Sequence, residues 1–270
     1  MTEFAAMVGN FSSIEYAVSD GLAHVTLNTA DRGNPIDQTF CREIRELAVE
    51  LSERDDVRAV LLAAKGRFFS VGGDIKSFAV DRSVLPSIVK SWTTDLHSAI
   101  ARLMRMSAPV VAAVQGDVAG GSVSLVASAD IVFAADTVKF SAAFPTIGFS
   151  ADSGSTITLS QRMGLSRAKR FLMMAETLDA HAALACGLID FVTTGDQLMA
   201  EAQAVAKKFA TGATLAYGGI KATMFKVRWQ GTESQMEDEA QMLATVSRSE
   251  DAWEGLSAFL EKRHPRFKGQ

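Results

Sequence analysis

The chain has 270 residues, 48% of them apolar, and a formal net charge of −4. This length allows one large domain or two small ones, and the acidic balance argues against a protein that binds nucleic acid over its whole surface. No apolar run reaches the length of a membrane span, and the N-terminus lacks the pattern of a signal peptide. The two cysteines, Cys41 and Cys186, are too few for a disulfide or metal framework. We therefore expect free thiols, no bound metal, no membrane partner and a cytoplasmic location.

The first quarter of the chain alternates strand-like and helix-like segments. Its predicted elements are strands at 14–19 and 24–28, a helix at 37–54 and a buried strand at 57–63. Asp20 and Gly21 supply the turn between the first two strands. Asp37 is a suitable N-cap for the helix, because its short carboxylate can accept a hydrogen bond from the first helical turn.

The middle of the chain repeats a strand, a glycine pair and a helix. The predicted elements here are a helix at 86–106, a buried strand at 110–114, a small-residue helix at 120–129 and a short strand at 131–134. The glycine-bearing unit occurs near Gly72 and again near Gly120. Such a recurrence predicts a spiral of repeated turns. The next segment, 140–154, has no clear period.

The last part of the chain is predominantly helical. Helical patterns are found at 155–163, 166–175 and 179–186, a short strand at 189–193, and helices from 196 onward with breaks near Gly212, Gly231 and Ser249. Strands alternating with helices predict an α/β core. The C-terminal helices carry more apolar residues than a solvated tail needs, which favours an oligomer.

Two glycine-bearing segments indicate chemistry. They are FSVGGD at 69–74 and GDVAGGS at 116–122, and each follows an apolar strand. Glycine lets a backbone N–H approach a ligand without an intervening side chain. Two such N–H groups directed at one point form an oxyanion hole, which stabilises charge that develops on a thioester or ester oxygen.

These segments, with their surroundings, resemble the crotonase superfamily, the enoyl-CoA hydratase/isomerase family. The matching stretches are GRFFSVGGDI at 66–75, APVVAAVQG at 108–116, AGG at 119–121, ADI at 129–131 and SEDAWEG at 249–255. The resemblance implies an α/β fold built as a spiral of ββα repeats, with a C-terminal helical region that trimerises, often as a dimer of trimers. We accordingly divide the chain into a core at 1–205 and a trimerisation region at 206–270.

The resemblance also implies the substrate and its contacts. Acyl-CoA thioesters would be the substrates, with coenzyme A as part of the substrate and no separate cofactor. The thioester oxygen would lie between the backbone N–H groups of Gly73 and Gly121. The residues expected to contact coenzyme A are Arg32, Ser70, Val71, Gly72, Asp74, Ile75 and Lys262. Ile75, Phe78 and Trp92 are candidates for the acyl pocket.

The reaction depends on which carboxylates are present. Family hydratases carry two glutamates that position and activate water, and their positions are occupied here by Ser124 and Phe144. Neither residue can replace a general base. Asp152 stands where family members that isomerise double bonds have an aspartate. One carboxylate suffices to move a proton between two carbons, so the pattern favours a double-bond isomerase with Asp152 as its base.

Other interpretations remain open from the sequence. The 4-chlorobenzoyl-CoA dehalogenase branch uses the same aspartate as a nucleophile and a histidine to activate water; His97 stands at the corresponding place, but Phe144 replaces that branch's tryptophan. Asp152 also fits the N-cap of a helix that begins near Ser155. A hydratase, a hydrolase acting through Asp152 and His97, and a non-catalytic homologue that binds coenzyme A or another partner are the remaining alternatives.

Overall fold

The computed structural model describes residues 11–227 and 229–270. In these ranges the strands form a large and a small sheet. The strands are β1 (Ile14–Ser19), β2 (Leu22–Leu27), β3 (Ala59–Ala64), β4 (Phe68–Ser70), β5 (Val110–Val114), β6 (Asp117–Ala119), β7 (Ile131–Ala135), β8 (Lys139–Ser141), β9 (Thr177–Asp179) and β10 (Phe191–Thr193). The large sheet has the order β1-β2-β3-β5-β7-β10 and the small sheet the order β4-β6-β8-β9. Among the described strands, only β1 with β2 and β8 with β9 pair antiparallel.

The helices lie between and after the strands. They are α1 (Gln38–Glu53), α2 (Ile75–Phe78), α3 (Leu85–Arg105), α4 (Gly121–Ala127), α5 (Ser155–Met163), α6 (Leu165–Met173), α7 (Ala180–Ala185), α8 (Leu198–Ala210), α9 (Thr214–Lys226), α10 (Thr232–Val246) and α11 (Glu250–Glu261). Short 3-10 turns occupy Ala30–Arg32 and Phe144–Ile147. Within the described ranges, none of the helices has both the length and the apolar character needed to cross a membrane.

The chain winds as a spiral. Strands β3, β5 and β7 belong to the large sheet, and each is followed at once by a strand of the small sheet, β4, β6 or β8. The pair β3 and β4 is followed by α2 and α3, and the pair β5 and β6 is followed by α4. Each of these two units is therefore a ββα turn. The predicted α/β spiral of ββα repeats is confirmed. The core lies in the large sheet, where every residue of β5 is buried.

Local chemistry explains several boundaries. Asp37 N-caps α1 by accepting a hydrogen bond from the Phe40 backbone N–H at 2.9 Å, as predicted. Asp20 and Gly21 both have positive φ in the turn between β1 and β2. Helix α8 packs against β3 and β5, so the predicted boundary between 205 and 206 falls inside a helix that covers the large sheet. The division into core and trimerisation region remains a prediction.

Candidate active site

A pocket opens where both glycine segments meet the start of α3 and the loop before α5. Its walls include the turn between β4 and α2, the turn between β6 and α4, and the segment from 143 to 153. Cys41 of α1 and Leu96 of α3 also line it. The pocket therefore gathers residues that are more than a hundred positions apart in the sequence.

The two glycine turns touch each other, which only glycine allows. Gly72 has φ +84°, and a Cβ added there would lie 2.6 Å from the carbonyl oxygen of Ala119. Gly120 has φ +57° and directly precedes α4. Side chains at these positions would be strained and, at Gly72, would force the loops apart. The glycines thus fix the separation of the two loops.

Each loop contributes to the pocket wall a glycine, Gly73 or Gly121, whose backbone N–H has no hydrogen-bond partner among the described residues. Ile36 and Gly73 form an isolated parallel β-bridge, and its two hydrogen bonds involve the residues on either side of Gly73. Ile36 N–H donates to Gly72 C=O at 2.8 Å, and Asp74 N–H donates to Ile36 C=O at 3.0 Å. Gly121 is the first residue of α4, where an N–H has no partner within the helix. Among the described residues, neither Gly73 N–H nor Gly121 N–H donates a hydrogen bond. Two free donors on one pocket are the arrangement that an oxyanion hole requires.

Asp152 places a carboxylate beside the second donor. Its Oδ1 lies 3.1 Å from the point where a Cβ on Gly121 would stand. Burial raises the pKa of this carboxyl, against a hydrogen bond from Ser153 Oγ at 2.9 Å and the charge of His97, which lower it. Asp152 is the one acidic side chain among the described residues that line the pocket. Among the described residues, the pocket thus combines two backbone N–H groups without a hydrogen-bond partner and a single carboxylate.

The helix-cap interpretation of Asp152 does not match the geometry. The N-cap of α5 is Gly154, and no side chain caps that helix. Asp152 instead contributes its backbone carbonyl, which accepts hydrogen bonds from Ser155 N–H at 2.8 Å and from Ser155 Oγ at 2.7 Å. Its carboxylate is left to face the pocket.

The two positions at which hydratases carry glutamates have other roles here. Ser124 is fully buried and its hydroxyl donates a hydrogen bond to the carbonyl of Ser153. Phe144 lines the pocket with a phenyl ring. Neither side chain can hold or activate a water molecule as a carboxylate does.

His97 and Lys262 lie away from the pocket wall in the single chain. His97 is exposed on α3, one helical turn beyond the pocket residue Thr93, although its charge acts on Asp152. Lys262 is exposed at the C-terminal end of α11 with φ +56°. Of the predicted site residues, the pocket wall brings together Val71, Gly72, Gly73, Ile75, Gly121 and Asp152.

Three predicted contacts of coenzyme A have other partners in the structure. Arg32 forms ion pairs with Asp37 and Asp74, each at 2.8 Å. Asp74 also accepts a hydrogen bond from Lys76 N–H and caps α2. Ser70 is buried, and its Oγ accepts a hydrogen bond from Gly72 N–H at 3.2 Å. These side chains hold the first glycine loop in place.

Aromatic side chains form one side of the pocket. Phe78 packs against Trp92 with ring centroids 4.8 Å apart and against Phe149 at 5.9 Å. The sequence predicts Phe78 and Trp92 here but not Phe149, which lies in the segment without a period.

The sequence predicts Cys41 only as a free thiol. In the structure Cys41 lines the pocket, and burial raises the pKa of its thiol to about 12. It is therefore neutral at physiological pH. Its position opposite the loops carries no local sequence signal.

The chain matches a known protein family over most of its length. The family model for enoyl-CoA hydratase/isomerase matches residues 17–270. The chain belongs to the enoyl-CoA hydratase/isomerase family, within the crotonase superfamily. No group of three or more histidine, cysteine or acidic side chains in the described part of the chain could hold a metal ion.

Its relatives in the family carry different reaction names. A trans-2-decenoyl-[acyl-carrier-protein] isomerase of Streptococcus mutans is 31% identical over 97% of this chain and 100% of its own length. A 1,2-epoxyphenylacetyl-CoA isomerase of Escherichia coli is 32% identical over 94% and 97%. The crystal structure of an enoyl-CoA hydratase of Mycobacterium smegmatis is similar with a TM-score of 0.86 at 27% identity, over 94% and 98%. Membership of the family therefore supports an enzyme, but the reaction has to be inferred from the residues of the site.

Proposed function

We propose that the protein is an acyl-CoA double-bond isomerase in which Asp152 is the catalytic base. The observation that carries this proposal is the single carboxylate in the pocket, beside the free N–H of Gly121. Asp152 would take a proton from one carbon of an enoyl thioester and return it two carbons away, as the double bond moves between them. In between, the enolate oxygen would accept hydrogen bonds from Gly73 and Gly121. No atom is added to the substrate.

The electrostatics of Asp152 suit a base that must also return its proton. Burial raises the pKa of the Asp152 carboxyl above its ordinary value, with Ser153 and His97 opposing the shift. A base whose pKa lies near the working pH both accepts and releases a proton efficiently. Both curated relatives described above are isomerases by name, which supports the same class of reaction.

The remaining pocket surface favours an apolar acyl group. The hydroxyl of Thr93 donates to the carbonyl of Val89 at 2.7 Å, and that of Thr146 donates to Ala143 at 2.6 Å. These polar side chains are therefore satisfied within the protein. We propose an acyl thioester of coenzyme A as substrate, with no further cofactor, because one base and two N–H donors complete the proton transfer.

We also propose that the chain acts as a homotrimer or a dimer of trimers. The support is a set of large apolar side chains that α10 and α11 leave exposed in the single chain, namely Met236, Leu243, Trp253, Leu256, Phe259 and Leu260. Exposed apolar surface of this extent is typical of an interface between subunits.

The variant Asp152→Asn tests the catalytic role. It keeps the size of the side chain and removes the base, so the isomerisation rate should fall at least about 100-fold. The measurement is NMR of substrate protons in deuterated water with a panel of 3-enoyl-CoA and arylacetyl-CoA esters. Asp136→Asn, which changes an exposed aspartate, is the matched control and should leave the rate unchanged.

Two outcomes would contradict the proposal. Rapid hydration of crotonyl-CoA that Asp152→Asn leaves intact would indicate a hydratase with another base. A covalent aspartyl ester that accumulates on an aryl-CoA substrate in His97→Gln would indicate the dehalogenase-like reaction.

A further inference from the structure

Ser153, next to the proposed base, has an unusual conformation. It is one of the few residues other than glycine with positive φ, at +55°, and its side chain is buried at 1% exposure. Its Oγ donates a hydrogen bond to Asp152 Oδ1 at 2.9 Å. A Cβ added to Gly121 would overlap this same Oγ. The hydroxyl thus fills the space between the second oxyanion donor and the carboxylate.

A buried pair of hydroxyls holds the backbone of Ser153. Ser124 Oγ donates to the Ser153 carbonyl and lies 2.8 Å from Thr158 Oγ1, and both side chains are fully buried. The Thr158 hydroxyl can donate either to Ser124 Oγ or to the carbonyl of Gly154, which lies 3.3 Å away. The left-handed conformation of Ser153 is unfavourable for a residue with a Cβ, so these contacts from α4 and α5 stabilise it.

We propose that Ser153 is a positioning residue for Asp152, held in its left-handed conformation by Ser124 and Thr158. This inference rests on the proposed role of Asp152 as the base. The hydroxyl donates to one carboxylate oxygen and so restricts the rotation of the carboxylate beside Gly121. It also favours the ionised form of Asp152 in a buried site, where the neutral form would otherwise be preferred.

Removing the Ser153 hydroxyl should therefore raise the pKa of Asp152. The hydrogen bond from Ser153 lowers the pKa of Asp152, and burial raises it. Without the bond, the pKa rises and the base is ionised only at higher pH. His97 on α3 also lowers the pKa of Asp152, and Asp37, Asp95 and Asp152 all act on the Cys41 thiol in the pocket wall. The substitution leaves these groups in place, so the change in the pKa of Asp152 reports on Ser153.

The variant Ser153→Gly tests the proposal, because glycine keeps the left-handed backbone and lacks the hydroxyl. We expect kcat to fall roughly 10-fold, since a hydrogen bond to a charged group is worth about that factor, with KM nearly unchanged. The acidic limb of the pH profile of kcat should move to higher pH. Ser128→Ala, which removes another buried serine hydroxyl bonded only to a helix carbonyl, is the matched control.

A second measurement does not depend on activity. With aspartate labelled at the carboxyl carbon, ¹³C NMR follows the ionisation of Asp152, which the Asp152→Asn variant assigns. The pKa should rise in Ser153→Gly and, to a smaller extent, in Ser124→Ala, which frees the Ser153 carbonyl. A higher pKa in an enzyme that isomerises nothing would contradict the proposed function and support the positioning role. An unchanged pKa and unchanged kcat in Ser153→Gly would overturn the positioning role alone.

Discussion

At the scale of single residues, the backbone N–H of Gly121 offers the sharpest test of the oxyanion hole. Gly121→Pro removes the donor at the first position of α4, where helices tolerate proline. Gly121→Ala adds the same Cβ, which also meets Ser153 Oγ, but keeps the N–H. The proline variant should therefore be about 100-fold slower than the alanine variant, the usual cost of one lost oxyanion donor. The measurement is kcat on an enoyl-CoA substrate, with circular dichroism to verify folding. Equal rates in two folded variants would exclude Gly121 as a donor.

The sequence predicts some of these residues and not others, for physical reasons. Gly73 and Gly121 can be located because each follows a continuous apolar strand and forms a local turn. The ion pair of Arg32 with Asp74 joins residues 42 positions apart, and no local pattern encodes such a contact. The bond from Ser124 to the Ser153 carbonyl is likewise long-range. Sequence analysis interprets Ser124 as a missing glutamate, and only the fold shows what its hydroxyl holds.

At the scale of elements, a buried carboxylate joins α1 to the two residues that precede β1. Glu43 is 3% exposed and accepts hydrogen bonds from the backbone N–H and hydroxyl groups of Ser12 and Ser13, at 2.6 to 3.0 Å. Burial alone would raise the pKa of this carboxyl, but the four bonds hold it below its usual range. Since the folded pKa is depressed, the stabilisation is present above the unfolded pKa and is lost as the pH falls through the folded pKa.

The substitution Glu43→Gln should accordingly destabilise the protein by about 2 kcal/mol at neutral pH. The difference from the unsubstituted protein should shrink as the pH falls below 4.5, the ordinary value for this side chain. Urea unfolding at several pH values and a fixed protein concentration measures this difference in the free energy of unfolding. Glu46→Gln, on the exposed face of the same helix, is the control and should have little effect. A loss that does not vary with pH would show that packing, not charge, is what Glu43 contributes.

The small sheet shows why some elements escape prediction. Its strands β4, β6, β8 and β9 have three residues each. Three residues are too few to display alternation or a continuous apolar run. The long elements are different: the strand at 110–114 and the helix at 155–163 are predicted with the bounds that the structure shows. Short length therefore explains the strands of the small sheet, although β10, which also has three residues, lies within the strand predicted at 189–193.

At the scale of the whole molecule, the exposed apolar side chains of α10 and α11 predict self-association. Phe259 and Leu260 are 82% and 79% exposed in the single chain. Sedimentation velocity at micromolar concentration should show a trimer or hexamer, and Phe259→Asp should shift the protein toward smaller species by placing a charge in the apolar contact. Asp55→Lys, an exposed charge change in the turn that follows α1, should leave the distribution unchanged. A monomer in the unsubstituted protein would contradict the assembly.

The carboxylate of Asp152 and the two glycine N–H groups come from different parts of the fold. Gly73 and Gly121, the proposed oxyanion donors, follow strands of the small sheet, so their positions are set by the pairing of β4 with β6. Asp152 comes instead from a stretch between β8 and α5 that belongs to neither sheet. Substitutions in that stretch can replace the carboxylate while the two backbone N–H groups that are proposed to bind the thioester oxygen keep their positions. In the proposed mechanism, the group that decides the reaction is therefore encoded apart from the strands that hold the two N–H groups.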